Sequence, residues 1–118
     1  MRTVEITFTT GDGPRAAAFW CDALRYRVLY RRDRYHVLGP GDGHGPRVVV
    51  QAVDGHRPSP GSVHLDLRVD RPEETVSRLR ALGARVEEHV ADEAREWTVM
   101  RDPDGNVFCV CPARSDPA

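Results

Sequence analysis

The side chains best suited to chemistry fall on alternate positions of short, strand-like segments. His64, Asp66 and Arg68 alternate with apolar residues, and Cys109 and Cys111 alternate in the same way near the end of the chain. Because successive residues of a strand point to opposite faces, the polar residues of each segment share one face. An imidazole can ligate a metal or move a proton, and a thiolate can bind zinc or attack an electrophile. These segments therefore predict a polar face capable of metal binding or proton transfer.

Each of these side chains also has a purely structural interpretation. His64 can be a hydrogen-bonded histidine without a metal, and a buried cysteine such as Cys109 behaves as a small apolar side chain. Glu5, which shares a predicted strand face with Thr7, is a candidate base for proton transfer or a salt-bridge partner of an arginine. The residue types by themselves leave both interpretations open.

The elements that must position these residues occur twice. Segment 23–28, with the sequence Ala-Leu-Arg-Tyr-Arg-Val, returns 58 residues later at 81–86 as Ala-Leu-Gly-Ala-Arg-Val. The same offset carries Asp12 onto Asp70. An internal repeat of this length indicates that one supersecondary unit has been duplicated.

Each copy predicts the order βαβββ. Asp12 is expected to cap the first helix, Asp70 and Glu73 resemble a capping box at the second, and Gly83 suits its C-terminus. Period-2 alternation predicts strands at 3–9, 27–32, 34–38 and 47–53 in the first copy, and at 63–69, 85–90, 96–101 and 107–111 in the second.

These elements predict an α+β fold built from two pseudo-symmetric modules in a single domain over residues 1–118. Module one is placed at about 3–53, the exposed linker at 54–61 and module two at about 62–112. A chain of 118 residues is long enough for one core but not for two independent ones.

A shared cleft follows if each helix covers one face of its sheet and the two remaining faces meet. Gln51 and Cys109 would occupy equivalent places in it, 58 residues apart, and Glu5 and His64 are 59 apart. Strand alternation predicts that the lining includes Glu5, Thr7, Gln51, His64, Asp66, Arg68 and Cys109, with Trp97 as a residue that can stack on an aromatic ligand.

Composition narrows the classes of function. The formal net charge of −1 provides no basic field for nucleic acid or an anionic membrane. Three cysteines are an odd number, which favours reduced thiols and a cytoplasmic location, and no signal peptide is expected. All 17 basic residues are arginine, so Schiff-base catalysis and a Walker-type phosphate loop are excluded.

The order of motifs resembles the vicinal oxygen chelate superfamily, and within it the glyoxalase-like and bleomycin-resistance-like proteins. The residues that carry the resemblance are Asp12, Phe19-Trp20, Gln51, His64-Leu65-Asp66-Leu67, Leu82-Gly83-Ala84 and Trp97-x-Val99-Met100-x-Asp102-Pro103-Asp104-Gly105-Asn106-x-Phe108-Cys109-Val110.

This resemblance implies an eight-stranded open cup, a homodimer, and a divalent metal held by four inward side chains. The family's metal positions fall on Glu5, Gln51, His64 and Cys109, and Glu5 and His64 would be the residues that move a proton. Cys109 stands where the family's metal enzymes generally carry a glutamate. A thiolate at that position favours zinc or softer ions over hard cations.

Two classes of function remain. One is an enzyme in which zinc, iron, manganese or nickel assists a lyase, isomerase or dioxygenase reaction on a small molecule. The other is a protein without a cofactor that binds or sequesters a small molecule, such as an antibiotic, in the cup.

Overall fold

The computed structural model describes residues 2–42, 44–93 and 95–115. The chain divides into two compact units: a first unit, Glu5–Val63, and a second unit formed by the described residues before Glu5 and from His64 onward. Within the described part of the chain, no helix is long and apolar enough to cross a membrane.

The first module is a four-stranded mixed sheet with one helix. Its strands lie in the order β2-β3-β4-β1, with β1 parallel to β4 and β3 antiparallel to both neighbours. Its elements are β1 (Arg2–Thr10), α1 (Gly13–Leu24), β2 (Arg27–Arg32), β3 (Tyr35–Gly39) and β4 (Arg47–Ala52).

The second module repeats this arrangement. Its strand order is β5-β8-β7-β6, again with the first and last strands of the module parallel. Its elements are β5 (Val63–Val69), α2 (Pro72–Ala81), β6 (Arg85–Ala91), β7 (Glu96–Arg101) and β8 (Val107–Pro112). The α+β class and the βαβββ order of both modules are confirmed.

Each helix buries the apolar residues of one sheet face. In the first unit this core contains Ala17 on α1 with Leu38 and Val50 on the sheet. In the second, Val69, Met100 and Val110 form the core, against which Leu67, Phe108, Val76 and Leu79 pack. Because neighbouring positions along a strand alternate, this packing directs the intervening polar residues to the other face.

The two helices differ in how their N-termini are capped. The Asp12 side chain accepts a hydrogen bond of 3.1 Å from the Arg15 N–H, as expected for an N-cap. The expected capping box of α2 is wrong, because the N-cap is Arg71 and no side chain caps the helix. Pro72 takes the first helical position, for which its fixed φ is suited, and so places the cap one residue after Asp70.

The 58-residue repeat extends to fine backbone detail. The β2–β3 pairing is irregular between Val28 and Tyr30, and the β6–β7 pairing between Val86 and Glu88, at the same offset. The residue that ends α1, Arg25, has φ 57°, and its repeat equivalent is Gly83, with φ 106°. Glycine tolerates this left-handed region, whereas an arginine is strained in it.

Replacing Arg25 with glycine is therefore expected to stabilise the protein. Relief of the left-handed strain exceeds the extra entropy of a glycine in the unfolded chain, and we expect a gain of about 0.5–1 kcal/mol. Urea unfolding of Arg25→Gly measures it. The matched change Gly83→Ala should destabilise, because an added Cβ would lie 3.3 Å from Pro103 Cγ at a positive φ. A lower urea midpoint for Arg25→Gly contradicts the prediction.

A buried histidine lies beneath the first turn of α1. His36 is 8% exposed, its ring is so close that a Cβ added to Gly13 would lie 3.4 Å from Cε1, and its Nδ1 has no hydrogen-bond partner among the described residues. Burial, and secondarily the positive charge of Arg31, lowers the pKa of His36 below its usual value. The folded protein thus holds this imidazole neutral.

Stability should consequently fall as the pH drops below about 6.5, the usual histidine pKa. In that range the unfolded chain takes up a proton that folded His36 resists, so the linkage favours unfolding until the folded pKa is passed. Unfolding free energies of the wild type and His36→Leu between pH 7.5 and 5 measure the effect, and the variant should lose less. His44→Gln, in the exposed loop before β4, is the control. Parallel pH profiles for wild type and His36→Leu would refute this origin.

Candidate functional site

Two parallel strands of the second module bring the polar residues together. His64 and Asp66 are two residues apart on β5, which places them on the face away from α2. On the neighbouring strand β8, Cys109 lies level with Asp66, and Cys111 lies level with Arg68. The strand register therefore assembles a cluster from residues more than 40 positions apart.

Three of these side chains form a compact group of nitrogen, oxygen and sulfur donors. His64 Nε2 lies 3.4 Å from Asp66 Oδ1, and one donor atom from each of His64, Asp66 and Cys109 lies within 4.8 Å of the others. Asp66 is 7% and Cys109 is 8% exposed. We call these three residues the His-Asp-Cys cluster.

Burial and charge keep the Cys109 thiol protonated. Desolvation is the main cause, and the Asp66 carboxylate beside it adds to the effect, so that together they raise the pKa of Cys109 to about 12. The thiol also shares a hydrogen bond with Asp66, and the positive charge of Arg68 opposes the shift only in part. Without a cation at this place, Cys109 is a neutral thiol at pH 7 and not a nucleophile.

An arginine and an aromatic ring lie near the cluster. Arg68 Nη1 donates a hydrogen bond of 3.2 Å to the Pro112 carbonyl at the end of β8. Val99 lies level with Cys109, so Trp97, two residues earlier on β7, shares the face of the cluster. The guanidinium carbon of Arg95 lies 5.9 Å from the centre of the Trp97 ring. An arginine and an aromatic ring thus accompany the donors on this face.

The first unit holds the other predicted site residues. Glu5 and Thr7 on β1 are 2% and 1% exposed. They lie level with Arg47 and Val49 on the neighbouring strand β4. Gln51 lies level with Thr9, so the Cα atoms of Glu5 and Gln51 are separated by four strand positions, roughly 13 Å along the strand. The structure brings His64 and Cys109 together but does not place Glu5 beside Gln51, and the four-ligand set stays a prediction.

Asp66 is the donor whose part in the cluster was not anticipated. Strand alternation predicts Asp66 on the cleft face, and the family resemblance does not place it among the metal ligands. The alternation of His64 and Asp66 marks both for one face, and the signal that joins Cys109 to them is the register of two parallel strands. A register of this kind is set by packing across the sheet, which short-range spacing does not report.

The influence of Asp66 on the thiol is testable by substitution. Asp66→Asn removes the negative charge next to Cys109, so the pKa of Cys109 should fall below about 12 while burial still holds it above the ordinary thiol value. The ¹³Cβ shift of labelled cysteines followed against pH reports each thiol. Asp22→Asn is the matched control: Asp22 raises the pKa of Cys21, so this change should lower the pKa of Cys21 and leave the titration of Cys109 unchanged. A Cys109 titration unmoved by Asp66→Asn would show that burial acts alone.

Paired βαβββ modules with polar residues on the helix-free face define the glyoxalase-like class of protein. A family model described as the glyoxalase-like domain matches residues 5–111. The chain therefore belongs to the glyoxalase-like domain family, which confirms its resemblance to the vicinal oxygen chelate superfamily. A comparison with curated proteins found no match.

Solved structures with similar folds support the architecture. A glyoxalase/bleomycin resistance protein/dioxygenase superfamily member from Vibrio splendidus 12B01 is 21% identical, with a TM-score of 0.62 over 95% of this chain and 99% of its own. An NAD-dependent benzaldehyde dehydrogenase structure from Legionella pneumophila is 12% identical, with a TM-score of 0.73 over 94% and 99%. Methylmalonyl-CoA epimerase from Mycobacterium tuberculosis is 16% identical, with a TM-score of 0.63 over 96% and 87%. At these identities the likeness concerns the fold.

Proposed function

We propose that this protein is a glyoxalase-like enzyme that acts on a small molecule with the help of a divalent metal, and that the His-Asp-Cys cluster holds the metal. The observation that carries the proposal is the convergence of an imidazole, a carboxylate and a thiol within 4.8 Å on one strand face. Zinc sites in enzymes take three such protein ligands and keep a fourth position for substrate or water.

The chemistry of the donors suits zinc best among the metals that the family resemblance implies. A cysteine sulfur favours zinc over manganese, and the carboxylate and thiolate together offset the two positive charges of the ion. The raised pKa of Cys109 belongs to the protein without metal. A bound cation replaces the thiol proton, so binding should release a proton and weaken as the pH falls. When bound, the metal would polarise a substrate oxygen.

The chain's own residues would supply the rest of the reaction. His64 would serve as a ligand here, and proton transfer by Glu5, a carboxylate buried in the first unit, stays a prediction. Arg68 and Trp97 would contact the substrate from the face of the cluster, through charge and ring stacking. The lyase and isomerase reactions implied by the resemblance need a stabilised oxyanion or enolate, and this site would provide it. A dioxygenase reaction would need iron or manganese here, because zinc has no redox chemistry.

A second function, binding a small molecule without a metal, is favoured by the bonds within the cluster. The Cys109 thiol and the Asp66 carboxylate already share a hydrogen bond, and His64 Nε2 lies 3.4 Å from the same carboxylate. In this alternative the cluster is a neutral polar lining for a ligand, as in an antibiotic-sequestering protein. The homodimer and the cytoplasmic location stay predictions under either function.

Zinc and cobalt binding distinguish the two functions. After chelator treatment and dialysis, zinc titration by calorimetry should give one site per chain, and Co²⁺ should produce a thiolate charge-transfer absorption. His64→Ala and Cys109→Ser should each weaken zinc binding at least about tenfold, since each removes a ligand. Cys109→Ser should also abolish the thiolate band.

Matched controls come from residues of the same types elsewhere. Cys21→Ser changes a thiol on α1, and His89→Ala changes a histidine that contacts Thr98 and Glu96. Both should bind zinc as the wild type does. If zinc binding is absent, or is unchanged by His64→Ala and Cys109→Ser, the metal-assisted function is wrong and the metal-free binder is favoured.

A further inference from the structure

The first unit contains a pocket that the proposed function does not use. It lies where β2 and β4 begin and beneath the loop 40–46 that joins β3 to β4, and its volume is about 200 Å³. Its lining is Arg27 and Leu29 from β2, Pro40, Gly41 and Gly45 from the loop, and Arg47 from β4. We call it the arginine pocket.

Local backbone features build this pocket. Leu29 is the additional residue at the bulge of β2, and a Cβ on Gly39 would lie only 2.8 Å from Leu29 Cδ1. With glycine at position 39, Leu29 lies close against the strand and forms an apolar wall, and a Cβ there would displace the end of the Leu29 side chain. On the other side, Arg27 Nε lies beside Gly41, 4.0 Å from where its Cβ would be.

Hydrogen bonds hold the loop above the pocket. The Tyr26 hydroxyl donates to the Pro46 carbonyl at 2.8 Å, and the His44 N–H donates to Asp42 Oδ1 at 2.9 Å. Gly45 has φ 120° and packs against the Tyr26 hydroxyl, so the chain turns there in a conformation that other residues rarely adopt. The loop is thus tied to Tyr26 at its C-terminal end, and a local turn lies within it.

The loop above the pocket differs from its counterpart in the second module, although the two modules repeat closely. There, β7 and β8 are joined by the turn 102–106, two residues shorter than the loop 40–46. Asp102 accepts hydrogen bonds from the N–H groups of Asp104 and Asn106 and thereby closes this turn. The longer loop is a specialisation of the first module.

Charge determines what the pocket would hold. The Arg27 guanidinium makes no side-chain hydrogen bond or ion pair within the described residues, while Arg47 lies level with the buried Glu5. A guanidinium presents paired N–H donors that match a carboxylate or phosphate. Leu29 and Pro40 add an apolar wall, and a volume of about 200 Å³ suits a small ligand only.

We propose that the arginine pocket binds a small organic anion, with its carboxylate or phosphate on Arg27 and Arg47 and its apolar body against Leu29. The proposal concerns the first unit alone and does not depend on the metal. Free small anions and the anionic group of a larger substrate share this chemistry.

Phenyl phosphate, benzoate and inorganic phosphate are the probes, with benzyl alcohol as the neutral control. Titrations of ¹⁵N-labelled protein should shift the Arg27 and Arg47 Nε–H signals and the amides of the loop, and dissociation constants follow from the same spectra. Arg27→Gln should weaken phenyl phosphate and benzoate at least about tenfold, because it removes a charge-assisted pair. Arg57→Gln, in the exposed segment before β5, is the matched control and should stay within about twofold.

Two further experiments test the apolar wall of the pocket and its independence from zinc. Leu29→Ala should weaken phenyl phosphate but leave inorganic phosphate unchanged, and added zinc should not alter either affinity. Equal weakening by Arg27→Gln and Arg57→Gln, equal binding of benzyl alcohol, or shifts that avoid the loop would each overturn the proposal. These outcomes are independent of whether zinc binds the His-Asp-Cys cluster.

Discussion

The strands of each module must serve two different faces, and this constraint governs the rest of the molecule. On β5, Leu67 and Val69 pack beneath α2, and the intervening His64, Asp66 and Arg68 therefore lie on the other face. A shift of one residue in register would bury these polar side chains beneath the helix and expose the apolar ones. The hydrophobic core thus secures the chemistry of the opposite face without contacting it.

Forming the His-Asp-Cys cluster costs free energy of desolvation, because its carboxylate and thiol are buried. A carboxylate that is 7% exposed next to a buried thiol loses most of its hydration, and hydrogen bonds and neighbouring charges must offset that loss. The thiol responds by keeping its proton. Perturbed titratable groups cluster at functional sites, and buried structural networks produce them as well.

The repeat shows where the two modules have been kept alike and where they have diverged. Both keep an irregularity in the pairing of their second strand with their third, and a left-handed residue after their helix, each at positions 58 apart. These features set the course of the backbone, so both modules need them. The donor cluster belongs to the second module and the arginine pocket to the first. Divergence has thus given each module its own polar feature on a common framework.

Alternation, caps and the repeat were enough to predict the βαβββ order, strand bounds within one or two residues, and the face on which Glu5, His64, Asp66 and Cys109 lie. These features depend on neighbours along the chain, which a sequence displays directly. Asp66 as the third donor, the raised pKa of Cys109 and the arginine pocket needed the tertiary structure. They depend on which residues of different strands lie level and how far water is excluded. Both are set by packing between distant segments.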